Sequence, residues 1–135
     1  MHEIHAEATS AGSPAAVWAL VADVAEWPRW GTWTEGEVEG GGPQEVGAVR
    51  VLVKKPYRLR ERITAWVPGE RMEYELLDGM RVRGYHAVVT LESTGDDGTR
   101  IRWHSTYERA SLFTALVLRM AIRDAARRLA AAAGP

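Results

Sequence analysis

The chain has 135 residues, of which 46% are hydrophobic, and its formal net charge is −1. This length fits one domain with a hydrophobic core, and the near-neutral charge argues against a disordered tail or a polyanion-binding protein. The absence of cysteine excludes a disulfide framework, a cysteine zinc site and a thiol nucleophile.

The chain carries no sign of membrane insertion or export. No apolar run approaches the roughly 18 residues that indicate a bilayer span. The first residues, from Met1 to Ile4, show no basic region followed by an apolar stretch, so no signal peptide is predicted. We therefore expect a cytoplasmic protein.

The N-terminal part predicts one strand followed by two short helices. Apolar and polar residues alternate over residues 2–9, which is typical of a strand with one buried side. Ser13 is a good helix cap and Pro14 suits the first helical position. Pro28 ends or kinks this helix, and a second helical turn is predicted over residues 26–30.

From residue 34 onward the hydrophobic periodicity changes to two. Turn signals separate the alternating segments at residues 40–43, 68–69, 78–79 and 96–98. Residues 81–93 predict one long strand. Short loops between successive strands predict an antiparallel meander with one buried and one solvated face.

Three arginines fall together on the predicted solvated face. Arg58, Arg60 and Arg62 alternate with residues of the other face, and Glu73 and Glu75 lie on the next strand. We interpret them as a cross-strand charge ladder. No aromatic residues interleave with the arginines on that face, so no nucleic-acid partner is expected.

One long helix is predicted over residues 111–133, with Ser111 as its cap. Six residues form its continuous apolar stripe: Leu118, Ala121, Ile122, Ala125, Ala126 and Leu129. Further apolar residues in the first half, among them Phe113 and Met120, lie off this stripe and need a cover. The second short helix, a partner subunit and a ligand entrance are the three candidates.

This order of elements predicts a curved sheet that wraps around the last helix. Five segments add sequence detail: residues 13–18 (SPAAVW), 23–30 (DVAEWPRW), 46–51 (VGAVRV), 62–69 (RITAWVPG) and 98–103 (GTRIRW). With these segments the chain resembles the START/Bet v 1-like superfamily, in particular the polyketide cyclase/dehydrase group of small bacterial helix-grip proteins.

The resemblance implies an α+β helix-grip fold in a single domain over residues 1–135. In this fold a curved antiparallel sheet of about seven strands wraps around a long C-terminal helix, and two short helices follow strand 1. The resemblance also implies a hydrophobic cavity for a lipid-like, polyketide-like or other aromatic molecule. Some relatives cyclise or dehydrate polyketide chains, and others only bind, carry or sequester a ligand. No universal catalytic motif maps onto this chain, and no cofactor is expected.

The strand registers place the candidate ligand-binding residues on the concave face of the sheet. These are Tyr57, Leu59, Ile63, Tyr74, Trp103, Ser105 and Tyr107, joined by Leu118 and Ile122 of the helix stripe and by Trp33. Core packing is the alternative role for these positions. Trp27, Trp30 and Trp33 form either a hydrophobic clasp at the cavity mouth or a contact between helix and sheet.

Glu61 is the most informative single position. By alternation it points inward between Leu59 and Ile63, where a carboxylate must be paired, hydrogen-bonded or protonated. Arg83 and Tyr85 face inward by the same counting. Glu61 is therefore either half of a structural buried pair or a general acid/base, with Arg83 or Tyr85 stabilising an enolate oxygen. A strand bulge would reverse the assignment.

The remaining residues and motifs predict neither a metal site nor a nucleotide site. His86 and His104 fall on the outward face, and His2 and His5 lie at the start of the chain and face solvent. Because these histidines show no paired spacing, no metal site is expected. No phosphate-binding glycine motif occurs, so no nucleotide is expected.

Three functional readings stay open at this point. The first is a protein that binds a hydrophobic, aromatic or polyketide-like molecule and catalyses its cyclisation or dehydration by acid/base chemistry. The second is a non-catalytic carrier or a resistance protein that sequesters a toxic metabolite. The third is an interaction protein, a homodimer for example, whose contact covers Phe113 and Met120.

Overall fold

A seven-stranded antiparallel sheet and a long C-terminal helix dominate the structure, a computed structural model that describes residues 1–134. The strands are β1 (His2–Ser10), β2 (Glu35–Val38), β3 (Val49–Lys54), β4 (Tyr57–Val67), β5 (Arg71–Asp78), β6 (Val82–Arg83), β7 (His86–Ser93), β8 (Thr99–Tyr107) and β9 (Arg109–Ala110). The helices are α1 (Pro14–Ala22), α2 (Trp27–Trp30) and α3 (Leu112–Ala133), and a 3-10 turn spans Val24–Glu26. The strand order in the large sheet is β1-β8-β7-β5-β4-β3-β2, and β6 pairs with β9 in a separate ribbon. The predicted architecture is confirmed.

Serine caps start the two longer helices, as the sequence predicts. The Ser13 hydroxyl accepts a hydrogen bond from the Ala16 backbone N–H at 3.2 Å, and Pro14 follows at the first helical position. The Ser111 hydroxyl accepts one from the Thr114 N–H at 3.1 Å. Each cap satisfies a backbone donor that the first helical turn leaves without a partner.

The apolar stripe of α3 packs against β1 and β8. Leu118, Ile122, Ala125, Ala126, Leu129 and Ala130 are its buried residues. At the far end of the helix the buried Ser10 hydroxyl donates to the Ala130 carbonyl at 2.7 Å. The helix is thereby fixed along the concave side of the sheet, and four of its six buried residues lie in its C-terminal half.

The outer face of the sheet carries charge ladders. Arg62 Nε lies 3.2 Å from Glu75 Oε1, as the alternation predicts. Glu73 Oε2 instead lies 3.1 Å from Nε of Arg71 on its own strand. Arg60 bridges two carboxylates on neighbouring segments, Glu39 at 2.6 Å and Asp78 at 2.7 Å. The predicted solvated ladder is therefore present, with partners that differ in part from those expected.

The strand predicted over residues 81–93 is broken in two. β6 ends at Arg83 and β7 starts at His86, and between them Gly84 has a φ of 69°. This left-handed conformation interrupts the alternation of faces, because it turns the chain by more than a pleat allows. A Cβ at Gly84 would also meet the Glu108 side chain. The residues before and after Gly84 consequently belong to different surfaces.

The first turns of α3 leave apolar side chains exposed to solvent. The exposed residues are Leu112, Phe113, Leu116 and Met120. The second short helix, one of the three predicted covers, therefore does not cover them. Within residues 1–134, no helix has the length and apolarity that crossing a membrane requires.

Candidate ligand-binding cavity

A cavity of about 670 Å³ lies between the concave face of the sheet and α3. Its size falls within the range of roughly 300–1,000 Å³ that is usual for small-molecule sites. Its interior walls are formed mainly by apolar and aromatic side chains: Trp27, Trp33, Leu52, Tyr57, Leu59, Leu76, Met80, Trp103, Val117, Leu118, Ala121, Ile122 and Ala125. Such walls suit an apolar ligand.

Most of the predicted site residues line this cavity. They are Trp33, Tyr57, Leu59, Glu61, Tyr74, Tyr85, Trp103, Leu118 and Ile122. β4, β5 and β8 each present every second side chain to the concave face, and α3 presents its stripe from the opposite side. These predicted residues therefore lie together around one cavity.

Three predicted ligand-binding residues are buried but lie outside the cavity lining. Ser105 lies behind Tyr85 and forms a hydrogen bond with its hydroxyl. Tyr107 lies at the end of β8, where its ring stacks on the imidazole of His2 at 4.9 Å. Ile63 continues the alternation of β4 two residues after Glu61 and is fully buried, outside the cavity lining.

The expectation that Arg83 faces inward was wrong. Its side chain is 80% exposed, and its Nε lies 3.9 Å from the carboxylate of Glu108, which lies between β8 and β9. The break at Gly84 separates it from Tyr85, which is buried and lines the cavity. Arg83 and Tyr85 are two residues apart, as on one face of a regular strand, but their side chains point to different surfaces of the structure.

Three tryptophans form one cluster beside the cavity. The ring centroids of Trp27 lie 5.3 Å from those of Trp30 and 5.0 Å from those of Trp33, and Trp30 lies 5.2 Å from Trp33. Trp27 and Trp33 line the cavity, whereas Trp30 is buried outside its lining. Each of the two interpretations, cavity clasp and packing contact, therefore describes part of the cluster.

Glu61 pairs with a buried arginine that sequence analysis missed. Arg50 is fully buried, and its Nε donates to Glu61 Oε1 at 2.8 Å. The guanidinium carbon lies 4.4 Å from the ring centre of Trp27 and 4.5 Å from that of Tyr74, so two aromatic faces enclose the cation. Its Nη1 donates to Gln44 Oε1 at 3.0 Å. The other terminal nitrogen, Nη2, is buried and has no hydrogen-bond partner among residues 1–134.

Gln44 fixes the orientation of this arginine. The Gln44 amide donates to the carbonyls of Val21 and Ala22 at 3.1 and 2.7 Å, which leaves its own oxygen aimed at Arg50. The sequence contains one indication of this pair, because Arg50 alternates in phase with the inward-facing Leu52 on β3. The strand register then places Arg50 directly opposite Glu61. Strand pairing, which one strand's alternation does not reveal, was needed to see it.

The Glu61 carboxylate keeps one oxygen available to the cavity. Oε1 is held by Arg50, and among residues 1–134 no hydrogen bond involves Oε2. Burial raises the pKa of the Glu61 carboxyl, while the charge and hydrogen bond of Arg50 oppose this rise. A carboxyl with a raised pKa is better matched to giving and taking protons near neutral pH than an ordinary one.

Two tyrosine hydroxyls complete the polar part of the wall. The Trp103 indole N–H donates to Tyr74 Oη at 3.1 Å, and Tyr85 Oη lies 2.9 Å from Ser105 Oγ. Burial raises the pKa of Tyr85 to about 12 and that of Tyr74 well above its usual value. Both phenols are therefore neutral near pH 7, and Tyr74 retains a proton that it can donate.

Apart from Glu61, the charged residues that line the cavity within residues 1–134 lie at the end of β3 and on α3. They are Lys54, Arg123, Asp124 and Arg127, next to the exposed Met120. The half-buried Val117 and the exposed Met120 belong both to the cavity lining and to the apolar start of α3. This end of the cavity is the one that adjoins solvent.

Residues 1–134 match the family described as polyketide cyclase / dehydrase and lipid transport. The chain belongs to this family, and its sheet and C-terminal helix form the helix-grip fold of Bet v 1-like proteins.

Solved structures share the fold over nearly the whole chain. XoxI from Bacillus cereus superposes with a TM-score of 0.80 at 20% identity, covering 98% of this chain and 95% of that protein. A Nitrosospira multiformis protein gives 0.81 at 21% identity, with 96% and 94% covered. Ara h 8.0201 gives 0.77 at 17% identity, with 98% and 97% covered. A comparison with curated protein sequences gave no match.

Proposed function

We propose that this chain binds a flat hydrophobic molecule, aromatic or polyketide-like, and that the ligand directs a hydrogen-bond donor at Glu61. The observation that carries the proposal is a half-paired carboxylate in the wall of a mostly apolar cavity of about 670 Å³. Apolar ligand atoms fill the space, and the donor satisfies Oε2, which otherwise has no hydrogen-bond partner within residues 1–134. The rings of Trp33 and Trp103 offer faces on which a flat ligand stacks.

Filling the cavity tests the binding proposal. Ala121 lies in the cavity wall on α3, and Ala131 lies exposed on the same helix. Ala121→Trp places an indole into the ligand space, and Ala131→Trp is the matched control. The probe is N-phenyl-1-naphthylamine, a neutral aromatic amine with one N–H donor whose fluorescence increases in apolar surroundings.

We expect saturable binding of this probe to the wild type and to Ala131→Trp. Ala121→Trp should bind it at least tenfold more weakly while keeping a wild-type circular dichroism spectrum, because the indole occupies the volume that the probe needs. Equal affinity in both tryptophan variants would contradict binding in this cavity.

A second proposal adds chemistry to the same site. Glu61 Oε2 removes a proton from a carbon next to a ligand carbonyl, and the neutral Tyr85 or Tyr74 hydroxyl donates a hydrogen bond to the enolate oxygen that forms. The enolate carbon then attacks a second carbonyl of the same chain, and the proton returns from Glu61 to the new alkoxide. This aldol cyclisation is redox-neutral. The half-paired Glu61 and its raised pKa favour the proposal.

Turnover of a linear poly-β-ketone, followed by mass spectrometry, separates an enzyme from a carrier. We expect Glu61→Gln to lower the rate of cyclisation at least 100-fold and Tyr85→Phe to lower it about tenfold. Arg83→Ala is the control that leaves the rate unchanged, because Arg83 lies outside the cavity. If the wild type binds the probe but forms no product, the site serves a carrier or sequestering protein instead.

A further inference from the structure

A second cluster of ligating side chains lies on the other face of the sheet. His104 on β8 lies between Trp103 and Ser105, which face the interior, so its imidazole projects from the outer face. His5 on β1 is its direct partner in the strand register. Glu3 lies two residues before His5 and therefore on the same face of β1.

These three side chains converge. The imidazole rings of His5 and His104 stack with their centroids 4.1 Å apart and their planes at 7°. One Glu3 carboxylate oxygen lies 3.6 Å from Nε2 of His5, and the other lies 3.7 Å from Nε2 of His104. One potential ligand atom from each residue lies within 4.8 Å of the other two.

An unsatisfied nitrogen points into this cluster. Nε2 of His104 is closed off from solvent and has no hydrogen-bond partner among residues 1–134. A buried ring nitrogen without a partner lowers the stability of the folded state. The Glu3 carboxylate faces this nitrogen, and its oxygen stays beyond hydrogen-bond distance at 3.7 Å. A positively charged ion between the three groups would satisfy this nitrogen together with the carboxylate.

We propose that Glu3, His5 and His104 form a binding site for a divalent transition-metal ion such as Zn²⁺, with water in the remaining positions. Two imidazoles and a carboxylate are ligands that Zn²⁺ accepts, whereas Mg²⁺ and Ca²⁺ prefer oxygen donors. Zinc binds these atoms at about 2.0–2.2 Å, which requires them to close in by about 1 Å. The His5 ring would also have to turn out of its parallel stack on His104, because an imidazole nitrogen binds a metal in the plane of its own ring. Rotation of the exposed side chains of His5 and Glu3 would provide both movements while the paired backbone stays in place.

The site would have a mechanical effect on the sheet. β1 is an edge strand that pairs only with β8 in the large sheet. A metal ion held by Glu3 and His5 from β1 and by His104 from β8 links the two strands through their side chains. Bound metal should therefore stabilise the folded state, since the three ligands are brought together only when the strands pair.

Calorimetric titration of the full chain without an affinity tag, with Zn²⁺ alone as the probe, tests this site. We expect one Zn²⁺ per chain and an increase in Tm when Zn²⁺ is added. His5→Ala and His104→Ala should each weaken Zn²⁺ binding at least tenfold and abolish the Tm shift. His104→Gln serves as the second variant if His104→Ala is poorly folded. Glu3→Gln should weaken binding less, because the two imidazoles remain.

Two control variants distinguish this cluster from other zinc-binding groups. His86→Ala removes a histidine on β7, and His2→Ala removes a histidine that stacks on Tyr107. Both should bind Zn²⁺ as the wild type does. NMR resonances of the His5 and His104 rings should shift together with Zn²⁺, independently of any cavity ligand. The proposal is overturned if Zn²⁺ binding does not saturate below millimolar concentration, or if loss of His5 or His104 leaves its affinity unchanged.

Discussion

Arg50 and Glu61 are the residues on which the polar part of the cavity depends. Arg50 brings a full charge into the interior, where two aromatic rings, Gln44 and one carboxylate oxygen surround it. Transfer of both charges out of water is costly, and their pairing offsets this cost only while both partners are present. Their effect on stability is therefore best measured by removing them singly and together.

Arg50→Met is expected to lower the free energy of unfolding by about 3 kcal/mol, because Glu61 loses its buried partner. The double variant Arg50→Met/Glu61→Leu should be less destabilised than the sum of its single variants, since neither charge then remains unpaired. Urea unfolding of the four proteins measures the coupling. Additive losses would show that the two charges have no interaction energy with each other.

The pH dependence of stability reports on Glu61 directly. Burial raises its pKa in the folded state above the ordinary 4.5. The stabilisation that comes from this raised pKa is fully present below pH 4.5, and it is lost as the pH rises through the pKa of the folded state. Relative to the non-titrating Glu61→Gln variant, the wild type should become less stable as the pH increases from about 4 to about 8. The opposite trend in urea unfolding would mean that Arg50 keeps the pKa of Glu61 low.

Sequence alternation predicted single residues well where one strand decides their direction. Glu61 was placed inward correctly, because β4 keeps its alternation up to that point. Arg50 was missed because its burial depends on the register between β3 and β4. The pairing of His5 with His104 was missed for the same reason, since spacing along one chain says nothing about neighbouring strands.

At the scale of elements, the short connection after α2 determines the shape of one cavity wall. Gly31 ends α2, and a Cβ at this position would collide with the Trp33 ring and come within 3.3 Å of the Trp27 carbonyl oxygen. The backbone there is extended, so the requirement for glycine is one of space and not of dihedral angle. The position of Trp33 in the cavity wall depends on it.

Gly31→Ala should therefore lower the free energy of unfolding by about 1–3 kcal/mol and displace Trp33 from the wall. The measurements are urea unfolding and the affinity for N-phenyl-1-naphthylamine, which should fall. Gly31→Ala/Trp33→Leu should recover most of the lost stability, because the smaller side chain makes room for the new methyl group. A single variant with wild-type stability and affinity would show that Trp33 moves without cost.

Elements with strong end signals were predicted well, and one without a visible signal was not. Ser13-Pro14 and Ser111 gave the starts of α1 and α3, because caps are local features of the sequence. The break inside residues 81–93 depends on a left-handed Gly84, and a glycine within a strand pattern does not reveal its φ beforehand. Arg83 was misplaced as a result.

At the scale of the whole molecule, the order of elements was enough to predict the architecture, because a sheet of this length needs a cover and α3 supplies it. The volume left between them was not predictable from residues alone. It depends on how far α3 stands from the sheet and on the side chains between them, among them the rings of Trp27, Trp33 and Trp103 in the cavity lining.

Ligand binding in this space should stabilise the entire fold. A ligand that binds only the folded chain adds about 2.7 kcal/mol at 100 times its Kd. We expect N-phenyl-1-naphthylamine to raise the Tm of the wild type and of Ala131→Trp, and to leave that of Ala121→Trp unchanged. Differential scanning calorimetry measures the shift. An equal shift in all three proteins would indicate binding elsewhere on the surface.

The enclosure of Arg50 by Gln44, Trp27 and Tyr74 has a thermodynamic consequence for recognition. The guanidinium is dehydrated and oriented during folding, so an arriving molecule does not have to rearrange it. Complex formation then consists mostly of transferring apolar surface out of water, whose signature is a negative heat-capacity change. Calorimetry at several temperatures should accordingly find an association enthalpy that grows more favourable on warming, with little change in the structure of the protein.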